Sequence, residues 1–231
     1  DTSGGSENAF TYTHNTNAKV LLLTRNVIVT STVQTQNVFS APNSTSALVS
    51  GYTDIDWSYI KNIGGVGGTA TLTTSPSIYG IYIPPSSYTA IDYCVFDTVV
   101  TYGIINSSRI PQTYTGNIFC ASGAGSVGAT ASGLGINGVG HTFVDHYFIG
   151  NRRQGVEYRG INCTFTNPHF SGNNTDGIAD NGAFYLANGA PVVVTTPNIH
   201  CNRIAGVTLN TTSNSIFSNG NIGGKGANTV N

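Results

Sequence analysis

A repeat of about two dozen residues limits this chain more than any other feature. With the chain aligned on Gly103, Gly155, Gly177 and Gly206, the residue seven places earlier is Phe96, Phe148, Phe170 or Ile199. Twelve places earlier stands Ile91, Phe143, Phe165 or Val194, and one place later Ile104, Val156, Ile178 or Val207. Three apolar columns advancing in step mean that every repeat puts like side chains at like points of a coil. A fourth column, four residues before the glycine, holds Val99, Asn151, Asn173 and Asn202. Successive Asn residues at one point of a coil predict an amide ladder at a tight turn, each side chain donating to the next.

Spacings of 22 residues (155 to 177) and 29 residues (177 to 206) are too long for hairpins alone. They suit three short strands plus turns, wound once around a solenoid. No stretch keeps an i, i+3, i+4, i+7 apolar pattern over a dozen residues, so helix is nearly absent. Earlier in the chain Ile55–Ile60 aligns on Ile91–Phe96, and Tyr79-Gly80-Ile81 aligns on Tyr102-Gly103-Ile104. Val20–Val29 reads as the first strands, and Ser215–Gly220 begins one more rung. Gly64–Gly68 and Gly123–Gly140 read as Gly-rich loop insertions. The expectation is one all-β solenoid domain over 1–231, with an N-terminal extension over 1–18 and roughly eight rungs at ~4.8 Å. An antiparallel sandwich or jelly roll would use Asn-Gly and Asp-Gly hairpin turns, and such dipeptides exist at Asn137-Gly138, Asp176-Gly177 and Asn181-Gly182. Asp176-Gly177, however, falls on the repeat column, which a sandwich does not explain.

Composition removes several function classes. Charged residues make up 8% of the chain and the net charge is −1, which argues against a coiled coil and against a basic nucleic-acid binder. Hydrophobic residues at 39% and aromatic residues at 10% argue against charge-driven disorder. No apolar run approaches the ~18 residues of a membrane-spanning helix. The chain begins Asp1-Thr2-Ser3, which reads as a processed chain or an excised fragment. No amphipathic helix flanks the solenoid, so its open ends predict assembly or truncation. Cys94, Cys120, Cys163 and Cys201 form no CxxC pair, so buried free thiols are expected rather than a zinc site, and no metal or cofactor is expected. Sequons at Asn43, Asn106, Asn162, Asn173 and Asn210 are close to chance in so Asn-rich a chain.

Glycosidic cleavage uses two carboxylates about 5–9 Å apart. Glu157 lies two places after its glycine and Asp176 one before the next, so adjacent rungs bring them within that range. The plainer alternative is that Glu157 pairs with Arg159 while Asp176 shapes an Asp-Gly turn. Asp176 and Asp180 alone are too few carboxylates for a calcium-assisted lyase centre. His146 and His169 read as ordinary turn or surface residues. Strand alternation turns the tenth, eighth and sixth residues before each glycine outward. Those positions carry Trp57, Tyr59 and Lys61, then Tyr93, Val95 and Asp97, then Asp145, Tyr147 and Ile149, then Asn167, His169 and Ser171, and last Thr196, Asn198 and His200. Aromatic faces beside amides and carboxylates suit sugar rings, so Trp57, Tyr59, Tyr93, Asp145, Tyr147 and His169 form the candidate binding face.

The rung Cys163–Ile178, with its strand, Asn turn and Gly-hydrophobic step, resembles the repeated unit of the right-handed parallel β-helix in the pectate-lyase-like superfamily. The resemblance covers roughly residues 50–226. Val20–Val29 separately resembles a segment of β-helical cell-surface proteins of the fibrocystin and hyaluronan-processing type. The superfamily includes bacteriophage tailspikes, polysaccharide lyases and polygalacturonases, and the Asn/Thr/Ser/Gly composition is most similar to a tailspike or surface fibre. Asn174-Thr175-Asp176-Gly177 is similar to one catalytic motif of polygalacturonases, whose paired-Asp, Gly-His-Gly and Arg-Ile-Lys motifs are missing from this chain. The resemblance implies an extracellular or virion surface-fibre domain that recognises host or environmental polysaccharide, as a homotrimer. A secreted glycoside hydrolase or lyase using Glu157 and Asp176 is the alternative. A structural filament subunit stacking its open ends is a third.

Overall fold

The computed structural model describes residues 27–30, 39–40, 52–61, 79–85, 87–99, 102–123, 132–175, 182–187, 191–210 and 214–224. Every ladder among them is parallel and no helix occurs among the described residues. An eight-stranded sheet stacks Val27–Thr30, Ser58–Lys61, Val95–Asp97, Ile118–Cys120, Tyr147–Ile149, His169–Ser171, Asn198–Asn202 and Asn221–Gly224 in that order. A seven-stranded sheet stacks Phe39–Ser40, Tyr79–Ile83, Tyr102–Asn106, Leu134–Ile136, Val156–Tyr158, Phe184–Leu186 and Val207–Leu209. The third face holds a five-stranded sheet of Thr113–Thr115, Thr142–Val144, Cys163–Thr166, Val192–Thr195 and Ile216–Ser218, and a two-stranded pair of Tyr52–Asp56 and Tyr88–Asp92. Successive strands of the chain visit the three faces in turn. This is an all-β, right-handed parallel β-helix: the repeat predicts the solenoid, and the resemblance implies its hand.

The columns hold the coil together. Ile60, Phe96, Phe119, Phe148, Phe170 and Ile199 stand in register and are all buried. The Phe96, Phe119, Phe148 and Phe170 rings stack at centroid distances of 4.9, 5.2 and 4.7 Å. A second stack joins Tyr114 to Phe143 at 5.2 Å and Phe143 to Phe165 at 4.7 Å. Parallel offset rings at this separation add to simple area burial. The amide ladder is also present: Asn151 Nδ2 donates to Asn173 Oδ1 at 2.8 Å, and Asn173 Nδ2 to Asn202 Oδ1 at 2.9 Å.

The structure corrects the repeat in two places. The spacing from Gly103 to Gly155 hides a whole rung, which supplies Phe119 and Leu134 to the columns and Ser122 to the turn, where its backbone N–H donates to Asn151 Oδ1. Gly177 and Ile178 are not the next column members. Ala183 and Phe184 hold those places, Phe184 pairing with Val156 and Val207, while Gly177 and Ile178 lie outside the described residues. Of Val20–Val29 only Val27–Val29 are among the described residues, and the extension over 1–18 lies outside them.

The four cysteines are free. Cys94 and Cys163 are buried as expected, but Cys120 is only partly buried and Cys201 is exposed, Cys201 being the positive-φ residue of the Asn198–Asn202 strand where its register shifts between Ile199 and Asn202. His146 is also a correction. It lies in a turn, yet its ring is completely buried between the two aromatic stacks, 5.7 Å from Phe143 and 6.2 Å from Phe148. Burial holds its pKa down at about 4.

Candidate functional site

The candidate face lies on the eight-stranded sheet and on the turn that leads into it. At that turn the chain changes direction through a single left-handed residue: Trp57 (φ 50°), Tyr93 (54°), Gly116 (64°), Asp145 (56°), Asn167 (52°) or Thr196 (50°). Trp57, Tyr93 and Asp145 are therefore corner residues and not the outward strand positions that simple alternation assigned them. Asp and Asn tolerate the left-handed region through local hydrogen bonds. A bulky aromatic residue there is strained by roughly 1–3 kcal/mol and needs support from its surroundings. Stacking provides it: the Trp57 and Tyr93 rings lie 4.5 Å apart with 11° between their planes. Gly116 follows on the next rung, where an added Cβ would stand 2.5 Å from Tyr93 Cδ1. Only glycine leaves room for the Tyr93 ring to lie over this corner. Trp57 remains 53% exposed and Tyr93 39% exposed, although both are large aromatic rings.

The strand positions tell a different story. One outward column runs Tyr59, Val95, Ile118, Tyr147, His169 and Asn198 in register. Tyr147 and His169 stack at 4.6 Å with 9° between planes, and His169 Nδ1 lies 3.3 Å from Asn198 Nδ2. Val95 and Ile118, both buried, separate this pair from Tyr59. Tyr59 Oη donates to Asp97 Oδ2, and that bond, helped by burial, pushes the phenol up to about 12. Beside the Tyr147–His169 pair the corner residues form a polar rail, in which Asn167 Nδ2 donates to Asp145 Oδ1 at 3.0 Å and Thr196 Oγ1 donates to Asn167 Oδ1. Five of the six expected residues thus divide into two stacked aromatic pairs and a carboxylate, and Tyr59 is tied to Asp97. Gly116 and Asn198 complete the face. Gly116 could have been noticed as the one corner without a side chain, next to aromatic corners.

Glu157 occupies a different face. It sits in the seven-stranded sheet with Gly135 and Tyr185 as its register partners, and it is buried. Arg159 donates to its Oε1 through Nε at 2.9 Å and Nη2 at 2.8 Å, while Tyr102 Oη donates to Oε2. The pairing with Arg159 is the plainer of the two sequence readings. Asp176 and Asp180 lie outside the described residues. Tyr102 could not be found from sequence, because it reaches Glu157 across the rung that the Gly103-to-Gly155 spacing concealed. Among the described residues no group of three or more His, Cys, Asp or Glu side chains could hold a metal ion, and no helix is long and apolar enough to cross a membrane.

The chain matches no protein-family model and no curated protein. Among solved structures it is similar to an alginate lyase from Paenibacillus sp. str. FPU-7, at 11% sequence identity and a TM-score of 0.44, over 77% of this chain and 75% of that one.

Proposed function

We propose that this β-helix binds polysaccharide through the outer face of its eight-stranded sheet, as a surface-fibre domain of the tailspike kind in an extracellular or virion setting. The observation that carries the reading is the Tyr147–His169 stack, seated on the strands and bordered by the Asp145–Asn167–Thr196 rail. A sugar ring offers an apolar face and a hydroxyl rim, and an aromatic platform beside amide and carboxylate groups answers both. The exposed Trp57–Tyr93 pair extends the same chemistry to another part of the face. Each contact of this kind is weak, so a homotrimer presenting three faces would raise attachment by avidity.

The test is retention on immobilised capsular and plant polysaccharides. Tyr147→Ala combined with His169→Ala is expected to lose retention while keeping the β-sheet circular dichroism of the unaltered protein. Unchanged retention in the double variant refutes the face.

A second reading, polysaccharide cleavage, draws on the Tyr102–Glu157–Arg159 constellation, which gathers a hydroxyl, a carboxylate and a guanidinium within hydrogen-bonding distance. In this reading Glu157→Gln abolishes the appearance of new reducing ends and leaves retention unchanged. Absence of new reducing ends with the unaltered protein, across the same polysaccharides, removes it.

A further inference from the structure

The outer side of the five-stranded sheet carries a pattern that neither the core nor the candidate face uses. Tyr114, Phe143, Phe165 and Val194 turn into the core, and the residues on either side of each turn out. One outward column runs Thr113, Thr142, Thr164, Val193 and Ile216 in register. The other runs Thr115, Val144, Thr166, Thr195 and Ser218. Every member is half-buried or exposed. Val144 and Val193 keep the branched outline of Thr without its hydroxyl.

The two columns form a regular lattice. Neighbours stand ~4.8 Å apart from rung to rung and about 6.6 Å apart along a strand, twice the rise per residue. Beneath them the Tyr114, Phe143 and Phe165 rings turn by only 12° and 18° between rungs, and such side-chain stacking keeps a sheet flat. Branching at Cβ restricts the Thr and Val rotamers, so hydroxyls and methyls are held at fixed points. Thr164 Oγ1 donates to Thr142 Oγ1 at 3.2 Å, which aligns both hydroxyls along their column. Neither column contains a charged residue. Carboxylates only border them: Asp92 Oδ1 accepts the Thr115 N–H, and Asp145 Oδ1 accepts Asn167 Nδ2.

This chemistry narrows the occupant. An ionic ligand meets no counter-charge in the columns, and a sugar meets no outward aromatic ring. The core of a protein–protein interface favours aromatic residues, Met and Arg over an array of hydroxyls. Ice is a neutral lattice of water molecules that repeats in two directions, each molecule able to donate to and accept from a hydroxyl. The repeats of its prism face are comparable with those of the two columns. We propose that the outer side of the five-stranded sheet is an ice-binding surface, on which the Thr hydroxyls anchor lattice waters and the branched methyls fit between them. It lies on a different sheet from the Tyr147–His169 stack, so it stands independently of polysaccharide binding.

Ice affinity tests the surface. Labelled protein is expected to be taken up into a slowly growing ice hemisphere that excludes serum albumin, and to give facets to a single growing ice crystal. Exclusion from the ice, or a crystal that grows as a round disc, overturns the proposal. Thr164→Tyr raises a ring above the middle of the array and is expected to lose uptake and faceting, with β-sheet circular dichroism and polysaccharide retention unchanged. Full uptake by that variant moves ice binding off this sheet and equally overturns the proposal. If Thr164→Tyr does not fold, Thr166→Lys places a charge on the same rung and is read in the same way. Sedimentation supplies the last check: a dimer that dissociates in the variant shows a second copy covering this side, and also overturns the assignment.

Discussion

Asn173 is bound twice to Asn202: its backbone N–H and its side-chain Nδ2 both donate to Asn202 Oδ1, each at 2.9 Å. Asn151 treats Asn173 in the same way, at 3.2 and 2.8 Å. The remaining Nδ2 hydrogens go to strand carbonyls, from Asn151 to Phe119 O, from Asn173 to Phe148 O and from Asn202 to Phe170 O. The ladder therefore fixes both the turn and the aromatic column beneath it. Asn173→Ala removes the middle member and leaves the Asn151 N–H and amide without their acceptor. The expected cost is about 1–3 kcal/mol, read as a fall of several degrees in Tm. An unchanged Tm shows that the ladder contributes nothing.

Phe148 is fully buried, and its ring stacks between those of Phe119 and Phe170. Phe148→Ala opens a cavity in a column that cannot collapse, because the strands on either side are held in register. A loss of about 3–5 kcal/mol is expected in denaturant unfolding. A loss below 1 kcal/mol would contradict close packing of the column.

Gly155 lies where the chain enters the seven-stranded sheet. A Cβ there would come within 2.6 Å of Phe148 Cβ and 2.7 Å of Phe170 Cδ1. Gly155→Ala thus drives a methyl into the aromatic column, and destabilisation of about 1–3 kcal/mol is expected. Ala183, one rung on, already carries a methyl at the equivalent position, so Ala183→Gly is expected to cost less than Gly155→Ala in the same unfolding measurement.

Acid sensitivity follows from His146. Burial lowers its pKa from the ordinary 6.5 to about 4. The unfolded chain therefore binds a proton at higher pH than the folded one. Stability is fully present above pH ~6.5, falls as pH drops through the interval to ~4, and changes no further below it from this group. The whole step is of order 3 kcal/mol. His141, also buried and lowered by desolvation, adds to the fall in the same direction. Unfolding free energies measured from pH 7 to pH 4 check the slope, and His146→Phe is expected to flatten it. A variant with the slope unchanged would assign the acid sensitivity elsewhere.

Glu157 and Arg159 should respond unequally to deletion. Arg159→Ala leaves a buried carboxylate with only the Tyr102 hydroxyl, whereas Glu157→Gln leaves a guanidinium whose side chain is 34% exposed and can turn to water. The unpaired buried charge is the costlier outcome. Arg159→Ala is therefore expected to lower Tm more than Glu157→Gln. The reverse order would mean that Glu157 is hydrated and its buried environment is misread.

What the amino-acid sequence determines by itself is whatever repeats. Phe96, Phe148 and Phe170 occupy one column because the coil returns every side chain to the same point. Asn151, Asn173 and Asn202 make a ladder because a turn that recurs must satisfy the same backbone groups each time. Insertions break that logic. The rung that carries Phe119 and Leu134 has no counterpart among the four aligned glycines, and Phe184 replaces Ile178 because backbone pairing, not the nearest glycine, sets the register. The candidate face shows the same division. Trp57, Tyr93 and Asp145 were legible as outward residues, but not as corner residues, since a positive φ depends on how two sheets meet and not on strand alternation. The Tyr102–Glu157 contact and the burial of His146 belong wholly to the tertiary structure: the first joins residues two rungs apart on one face, the second packs a corner residue against aromatic rings of two faces, and both distances are set by winding, which leaves no trace in local spacing.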